Sequence, residues 1–119
     1  QHKLPVKVFI LNNEWMGMVR QWQELLHGER YSHSYSDSLP DFVKLAEAMG
    51  GHGIRCDNPA ELDDKIREMI DHPGPVLFDC CVEKAENCLP MIPSGSAHNE
   101  MILGEIRGDE IGEAGKGLV

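Results

Sequence analysis

Two adjacent asparagines, Asn12 and Asn13, are the residues of this chain whose type and position best suit the binding of a charged ligand. They follow an apolar run, residues 6–11, which is rich in β-branched and aromatic side chains and predicts a strand buried on both faces. Apolar residues at helical spacing begin at Met16, and Gly17 stands near the start of that helix. A polar turn between a strand and a helix is typical of an anion site, because the first N–H groups of the helix point into it.

From this pattern we expect a phosphate-bearing ligand beside Gly17 and Met18, with a cation held by an asparagine amide. Magnesium suits this arrangement because it binds oxygen ligands, usually one or two protein side chains together with substrate phosphates. The alternative is that the two asparagines only form a turn and cap the helix, since Asn is favoured in both roles. Spacing alone leaves both interpretations open.

The elements that must position these residues alternate between helix and strand. The pattern predicts a helix that starts at Pro40 and ends before Gly50, a strand over 52–56, a helix N-capped by Asn58, and a strand over 76–82. The buried face of the helix after Asn58 is predicted to carry Leu62, Ile66, Met69 and Ile70. Alternation of this kind predicts an α/β fold, a partial three-layer parallel sheet with flanking helices. Three strands leave at least one edge exposed, so we expect the isolated chain to be marginally stable or to self-associate.

The remaining segments are predicted to be irregular. Residues 28–39 read as a surface loop, which at a dozen residues is either functional or a simple linker. The stretch beyond Val82 contains two prolines and a Ser94-Gly95 pair that could form a turn. From Gly104 onward the chain is glycine-rich with few packing residues, which predicts disorder.

Composition excludes several classes of function. The chain has 20 acidic and 11 Lys or Arg residues, a formal net charge of −9, so nucleic acid is not an expected partner. No apolar run is long enough to span a membrane, and the first residues lack both a signal-peptide pattern and an initiator Met, which suits a piece of a longer chain. We expect buried free thiols, without zinc, at Cys56, Cys80, Cys81 and Cys88. Three histidines in polar contexts are expected at the surface: His33, His52 and His98.

Three stretches of sequence carry a family resemblance. They are Leu-Asn-Asn-Glu-Trp-Met-Gly-Met-Val-Arg-Gln-Trp-Gln at 11–23, Arg-Tyr-Ser at 30–32 and Leu-Pro-Met-Ile-Pro-Ser-Gly at 89–95. Together they closely resemble the C-terminal end of the large catalytic subunit in the acetohydroxyacid synthase (acetolactate synthase) family. The resemblance, which extends to about Ile102, implies three parts. These are the C-terminal half of a thiamine diphosphate-binding domain (1–83), a C-terminal arm over the active site (84–103) and a tail (104–119).

The resemblance also implies roles in cofactor binding. In that superfamily a Gly-Asp-Gly triplet and a later Asn-Asn pair hold magnesium and the cofactor diphosphate, and only the Asn-Asn pair occurs in these residues. It assigns Asn13 as a side-chain ligand of Mg²⁺ and Trp15 as a ligand through its backbone carbonyl. Gly17 and Met18 would contact the diphosphate of thiamine diphosphate, mainly through backbone groups. No catalytic acid or base is assigned.

Two further residues receive roles from the resemblance. Trp22 would face the substrate channel and favour 2-ketobutyrate over pyruvate as the second substrate, whereas the residues alone favour a core Trp packed on Leu25 and Leu26. Ser94 would lie on the arm close to the cofactor, where its alternative is a plain turn residue.

The implied reaction joins pyruvate to a second 2-keto acid, pyruvate or 2-ketobutyrate, with loss of carbon dioxide, in branched-chain amino-acid biosynthesis. The resemblance implies a cytoplasmic or, in a plant, plastid enzyme that is a homodimer or tetramer, with a possible regulatory subunit. FAD and an activating glutamate would be bound or supplied by parts absent from this chain, so we expect these residues alone to be inactive. The alternatives are another thiamine diphosphate-dependent carboligase or decarboxylase, and a non-catalytic binding or assembly module.

Overall fold

The structure, a computed structural model, describes residues 4–104, and these form two compact units. The first unit contains residues 4–14 and Asp37–Lys84, and the second contains Trp15–Ser36 and residues 85–104. Among these described residues, no helix has the length and apolar character needed to cross a membrane.

The regular elements alternate as the sequence predicts. In chain order they are β1 (Lys7–Asn12), α1 (Gly17–Leu26), α2 (Phe42–Ala48), β2 (His52–Cys56), α3 (Leu62–Asp71) and β3 (Val76–Cys81). The three strands form one parallel sheet in the order β1-β3-β2, with Phe9 and Ile54 both in register with Phe78 of the central strand. The predicted α/β fold class is confirmed.

The two helices of the first unit cover opposite faces of β2. A Cβ atom added to Gly53 would stand only 2.6 Å from the Cα atom of Val43 in α2. The next residue, Ile54, belongs to the core cluster against which Leu62 and Met69 of α3 pack. Because successive strand residues point to opposite faces, α2 and α3 lie on opposite sides of the sheet, which gives the predicted three layers.

The hydrophobic core of the first unit lies on the α3 side of β2 and β3. It consists of Ile54, Cys56, Val76, Phe78 and Cys80. Phe78 is fully buried, and burial of such a side chain contributes about 1.5–3 kcal/mol. The prediction that Ile70 belongs to the buried face of α3 is wrong, since its side chain is 62% exposed near the end of the helix.

The prediction that β1 is buried on both faces is also wrong. Val8 is 47% and Leu11 is 68% exposed in the structure. The reason is that β1 is an edge strand, paired only with β3, while α2 and α3 pack mainly against β2 and β3. The expected exposed edge is therefore present, and it carries apolar side chains.

Polar side chains cap the starts of two helical segments in the first unit. The predicted start of α2 at Pro40 is wrong, since the helix begins at Phe42. Asp41 is its N-cap, and the Asp41 carboxylate accepts the backbone N–H of Lys44. The predicted cap at Asn58 is confirmed, since its side-chain oxygen accepts the N–H of Ala60 at 3.1 Å in the short 3₁₀ turn before α3.

The second unit consists of α1, the loop that follows it and the described part of the arm. An isolated antiparallel bridge pairs Trp15 with Tyr35, and another pairs Met91 with Ile102. Ser34 is 1% exposed, against the expectation of a simple surface loop, because its hydroxyl donates to the side chain of Gln23 at 2.5 Å. The predicted disordered tail lies outside the described residues except for its first glycine.

Candidate functional site

In the first unit, Asn12 makes the turn that ends β1. Its side-chain oxygen accepts the backbone N–H of Glu14 at 3.1 Å, and Glu14 adopts a left-handed conformation with φ 61°. Its side-chain nitrogen donates to Asp79 at 2.8 Å, and its backbone carbonyl accepts the N–H of Val82 at 3.1 Å. The turn interpretation therefore holds for Asn12, whose amide oxygen and nitrogen both have partners inside this unit.

The partner of Asn12, Asp79, is a buried carboxylate that the sequence analysis missed. It is 1% exposed and receives a second hydrogen bond from the guanidinium of Arg55, with an Nη1–Oδ2 distance of 2.6 Å. A carboxylate at this depth needs such partners, since an unpaired buried charge is very costly. The sequence feature that could have identified this residue is that it is the single charged residue inside the apolar run of β3. Through Asn12, Asp79 orders the turn that immediately precedes Asn13.

The residues assigned to magnesium and diphosphate follow this turn along the chain. Asn13, in the first unit, is half-buried. In the second unit Trp15 is half-buried, and Gly17 and Met18 are the first two residues of α1. No side chain caps α1, whose N-cap residue is Met16, so the prediction of an asparagine cap for this helix is wrong. Because the first turn also lacks an acidic residue, its N–H groups carry the partial positive charge that suits an anion.

A cavity of about 360 Å³ lies in the second unit between α1 and the arm. Its walls include Met18, Trp22 and Leu26 from α1, and Met91, Pro93 and Ser94 from the arm. It thus brings together Met18, Trp22 and Ser94, to which the resemblance assigned cofactor contact, substrate selection and the active-site arm. Trp22 is 51% exposed and lines this cavity, so the alternative of a core tryptophan is wrong.

The opposite side of α1 buries polar residues, which reverses the expected pattern. Arg20 is 3% and Gln21 is 1% exposed, whereas the predicted apolar residues Met18 and Val19 are 49% and 45% exposed. Arg20 donates to the backbone carbonyl of Ala85 at 3.0 Å and is ion-paired with a glutamate one turn along α1. Hydrogen bonds to the arm therefore offset the cost of burying these groups.

The loop after α1 packs around Trp15. The Trp15 ring lies 5.6 Å from the ring of Tyr31 and 5.0 Å from that of Tyr35. Burial raises the pKa of the Tyr31 hydroxyl, and the nearby carboxylates of Glu24 and Glu29 raise it further. The two tyrosine rings contact the Trp15 side chain, which the resemblance involves only through its backbone carbonyl.

Cysteine and histidine residues give no metal centre within residues 4–104, where no three His, Cys, Asp or Glu side chains are grouped to hold an ion. Three free thiols, Cys56, Cys80 and Cys81, line a second cavity of about 310 Å³ in the first unit. Burial raises the pKa of the Cys80 and Cys81 thiols. The prediction of burial is wrong for Cys88, which is exposed, whereas His52 begins β2, in agreement with the predicted strand over 52–56.

Comparison with known proteins identifies relatives of the chain. The family model described as "Thiamine pyrophosphate enzyme, C-terminal TPP binding domain" matches residues 1–80. The acetolactate synthase large subunit of Pyropia yezoensis is 50% identical over 103 residues, which cover 86% of this chain and 18% of that protein. The mitochondrial acetolactate synthase catalytic subunit of Saccharomyces cerevisiae is 50% identical over 98 residues, covering 82% and 14%. The large subunit of Haemophilus influenzae is 44% identical over 104 residues, covering 87% and 18%.

These matches confirm the resemblance seen in the sequence. They also show that the chain spans less than a fifth of the length of the curated relatives it matches.

Proposed function

Because the chain belongs to the thiamine pyrophosphate enzyme family, matching its C-terminal cofactor-binding domain, we propose that it forms part of an acetolactate synthase catalytic subunit. The observation that carries the proposal is the cavity shared by Met18, Trp22 and Ser94. Two residues of α1 and one residue of the arm more than 70 positions later, all assigned to the active site by the resemblance, meet there on one surface. An apolar cavity with few polar groups is the usual form of a site for a small organic substrate.

The donors near the start of α1 fit the cofactor. On the family resemblance we propose that the side chain of Asn13 and the backbone carbonyl of Trp15 bind Mg²⁺. The amide of Asn12 instead holds the turn and contacts Asp79. The uncapped N–H groups at Gly17 and Met18 would hold the diphosphate. When bound, thiamine diphosphate supplies the carbon centre at which a 2-keto acid loses carbon dioxide.

The substrates that we propose are pyruvate and a second 2-keto acid, either pyruvate or 2-ketobutyrate. We propose that Trp22 selects between them, because its side chain lines the cavity and would contact the part of the 2-keto acid that varies. We further propose that FAD and the remaining cofactor contacts come from other parts of the full subunit and its homodimer. These 119 residues on their own are therefore expected to form no acetolactate.

The test compares two asparagines of the first unit in the full subunit that contains this chain. We expect Asn13→Ala to weaken Mg²⁺-dependent binding of thiamine diphosphate by on the order of 100-fold, since loss of even an outer-shell partner costs 10–100-fold. The matched control is Asn58→Ala, which removes only the cap before α3 and leaves cofactor binding unchanged. Titration of each variant with thiamine diphosphate, followed by intrinsic protein fluorescence, measures the cofactor affinity of both variants.

The product formed from pyruvate alone separates the alternatives. Acetolactate supports the proposal, whereas free acetaldehyde indicates a decarboxylase. A full subunit that binds no thiamine diphosphate under any Mg²⁺ concentration would indicate a non-catalytic module. Equal affinity of the Asn13→Ala and Asn58→Ala variants for the cofactor would contradict the assignment of Asn13.

A further inference from the structure

Helix α1 carries two different surfaces within the second unit. One surface places Met18 and Trp22 in the 360 Å³ cavity. The other buries Arg20 and Gln21, whose side chains bind the segment that leads to the opposite cavity wall. The helix therefore supplies one wall of the cavity directly and holds the other wall through hydrogen bonds.

Gln21 makes a two-point contact with the backbone of Cys88. Its side-chain oxygen accepts the Cys88 N–H at 2.7 Å, and its side-chain nitrogen donates to the Cys88 carbonyl at 3.1 Å. The same nitrogen lies 3.2 Å from the sulfur of Met91, a residue of the cavity wall. Gln21 is 1% exposed and both bonds are partly buried, so losing them would remove the side-chain contact that fixes the Cys88 backbone.

We propose that Gln21 is a positioning residue that sets the distance between Trp22 and the arm, and so determines how the site selects its second substrate. This inference rests on the proposed function. Pyruvate and 2-ketobutyrate differ by one methylene, and an apolar pocket discriminates such a difference by only about 10- to 200-fold. Selectivity of that size depends on close contact with both walls, so a small outward shift of the arm reduces it.

The position of Gln21 distinguishes it from the neighbouring anchor. Arg20 binds the chain at Ala85, Glu86 and Asn87, which precede the cavity wall by several residues. Its Nε atom is buried without a partner among the described residues, so its bonding capacity is only partly used. Gln21 binds the arm closer to the wall and touches Met91 itself.

The experiment uses the full subunit with pyruvate and 2-ketobutyrate in competition. In Gln21→Met, which keeps the bulk of the side chain and removes both bonds to Cys88, we expect the ratio of acetohydroxybutyrate to acetolactate to fall by about 3- to 10-fold. Most of the change should appear in KM for 2-ketobutyrate, with kcat for pyruvate alone much less affected. Gln21→Glu retains an acceptor for the Cys88 N–H and should give an intermediate ratio, as partial rescue.

Gln23→Met is the matched control. Gln23 lies on the same helix and is hydrogen-bonded to Ser32 and Ser34 of the loop, so the same substitution removes bonds of the same kind without touching the arm. Its product ratio should stay at the wild-type value. Hydrogen exchange followed by mass spectrometry gives a readout without turnover: peptides containing Cys88 should exchange about tenfold faster in Gln21→Met and not in Gln23→Met.

Three outcomes overturn the proposal. An active Gln21→Met enzyme with the wild-type product ratio refutes the positioning role alone. A ratio that shifts equally in Gln21→Met and Gln23→Met also refutes it, because a general loss of stability then explains the effect. A wild-type subunit that forms no acetolactate refutes the proposed function and this assignment together. Should Gln21→Met not accumulate as folded protein, the comparison of Gln21→Glu with Gln23→Glu applies the same criteria.

Discussion

The ion pair between Arg55 and Asp79 gives a test of the fold in which one substitution should rescue another. Asp79 is 1% exposed, whereas the side chain of Arg55 is 53% exposed. In Arg55→Ala the buried carboxylate keeps only its hydrogen bond from Asn12, and removal of one partner from a buried pair costs about 3–5 kcal/mol. In Asp79→Asn the guanidinium turns into water, so we expect only the loss of a charge-assisted bond, about 1.5–3 kcal/mol.

The double variant is the decisive case. When Arg55→Ala and Asp79→Asn are combined, no buried charge remains, so the protein should be more stable than Arg55→Ala alone. The expected coupling is about 1–3 kcal/mol. Urea-dependent hydrogen exchange at β3 in the full subunit, followed by mass spectrometry, measures the free energy of opening of this unit in all three variants. The control is Arg67→Ala, since Arg67 pairs with Asp64 at the exposed surface, and we expect a change of no more than about 0.5 kcal/mol.

The reasoning would be refuted by either of two results. One is a cost for Arg55→Ala no larger than that for Arg67→Ala, which would mean that water reaches Asp79. The other is simple additivity in the double variant, which would mean that the two side chains are not energetically coupled. Either result would also remove the argument that Asp79 orders the Asn12 turn before the proposed magnesium ligand.

Two further predictions concern α2 and the strand beneath it. A hydrogen bond from a backbone N–H holds the pKa of Asp41 below its usual value of 3.8, so its capping contribution is present above pH 3.8 and is lost as the pH falls through the lowered pKa. Asp41→Asn keeps the acceptor oxygen and should remove this part of the acid dependence of the urea midpoint. Gly53→Ala would press a Cβ atom against the backbone of α2 and should cost at least about 1–3 kcal/mol, whereas Gly104→Ala, in open space, should cost less than about 0.5 kcal/mol.

The elements of the fold were predictable because they depend on local patterns. Strand and helix periods located β2 and α3 to within a few residues, and the cap at Asn58 followed from residue type alone. The predicted Glu61–Lys65 pair on the surface of α3 is present at 3.7 Å. Helical periodicity was less informative for burial, because it cannot tell which elements a helix packs against.

The errors occur where a partner lies far along the chain. The sequence analysis assigned no role to Arg20 and Gln21, because their partners lie 65 to 67 residues later. Asp79 was not singled out, because it lies within an otherwise apolar strand and its partner Asn12 is 67 residues earlier. No local rule could indicate these contacts. The resemblance assigned Trp22 and Ser94 to one active site, but only the three-dimensional structure shows them lining one cavity.

The two surfaces of α1 have a consequence for how this protein could change over evolution. Trp22 is half exposed, so its replacement removes less buried area than that of a core tryptophan. Gln21, one residue away, is almost fully buried and hydrogen-bonded to the Cys88 backbone, so its replacement acts on the arm as well as on the helix. If the proposed function holds, a substitution at the exposed Trp22 changes one wall of the cavity directly, while the buried amide of Gln21 continues to hold the opposite wall.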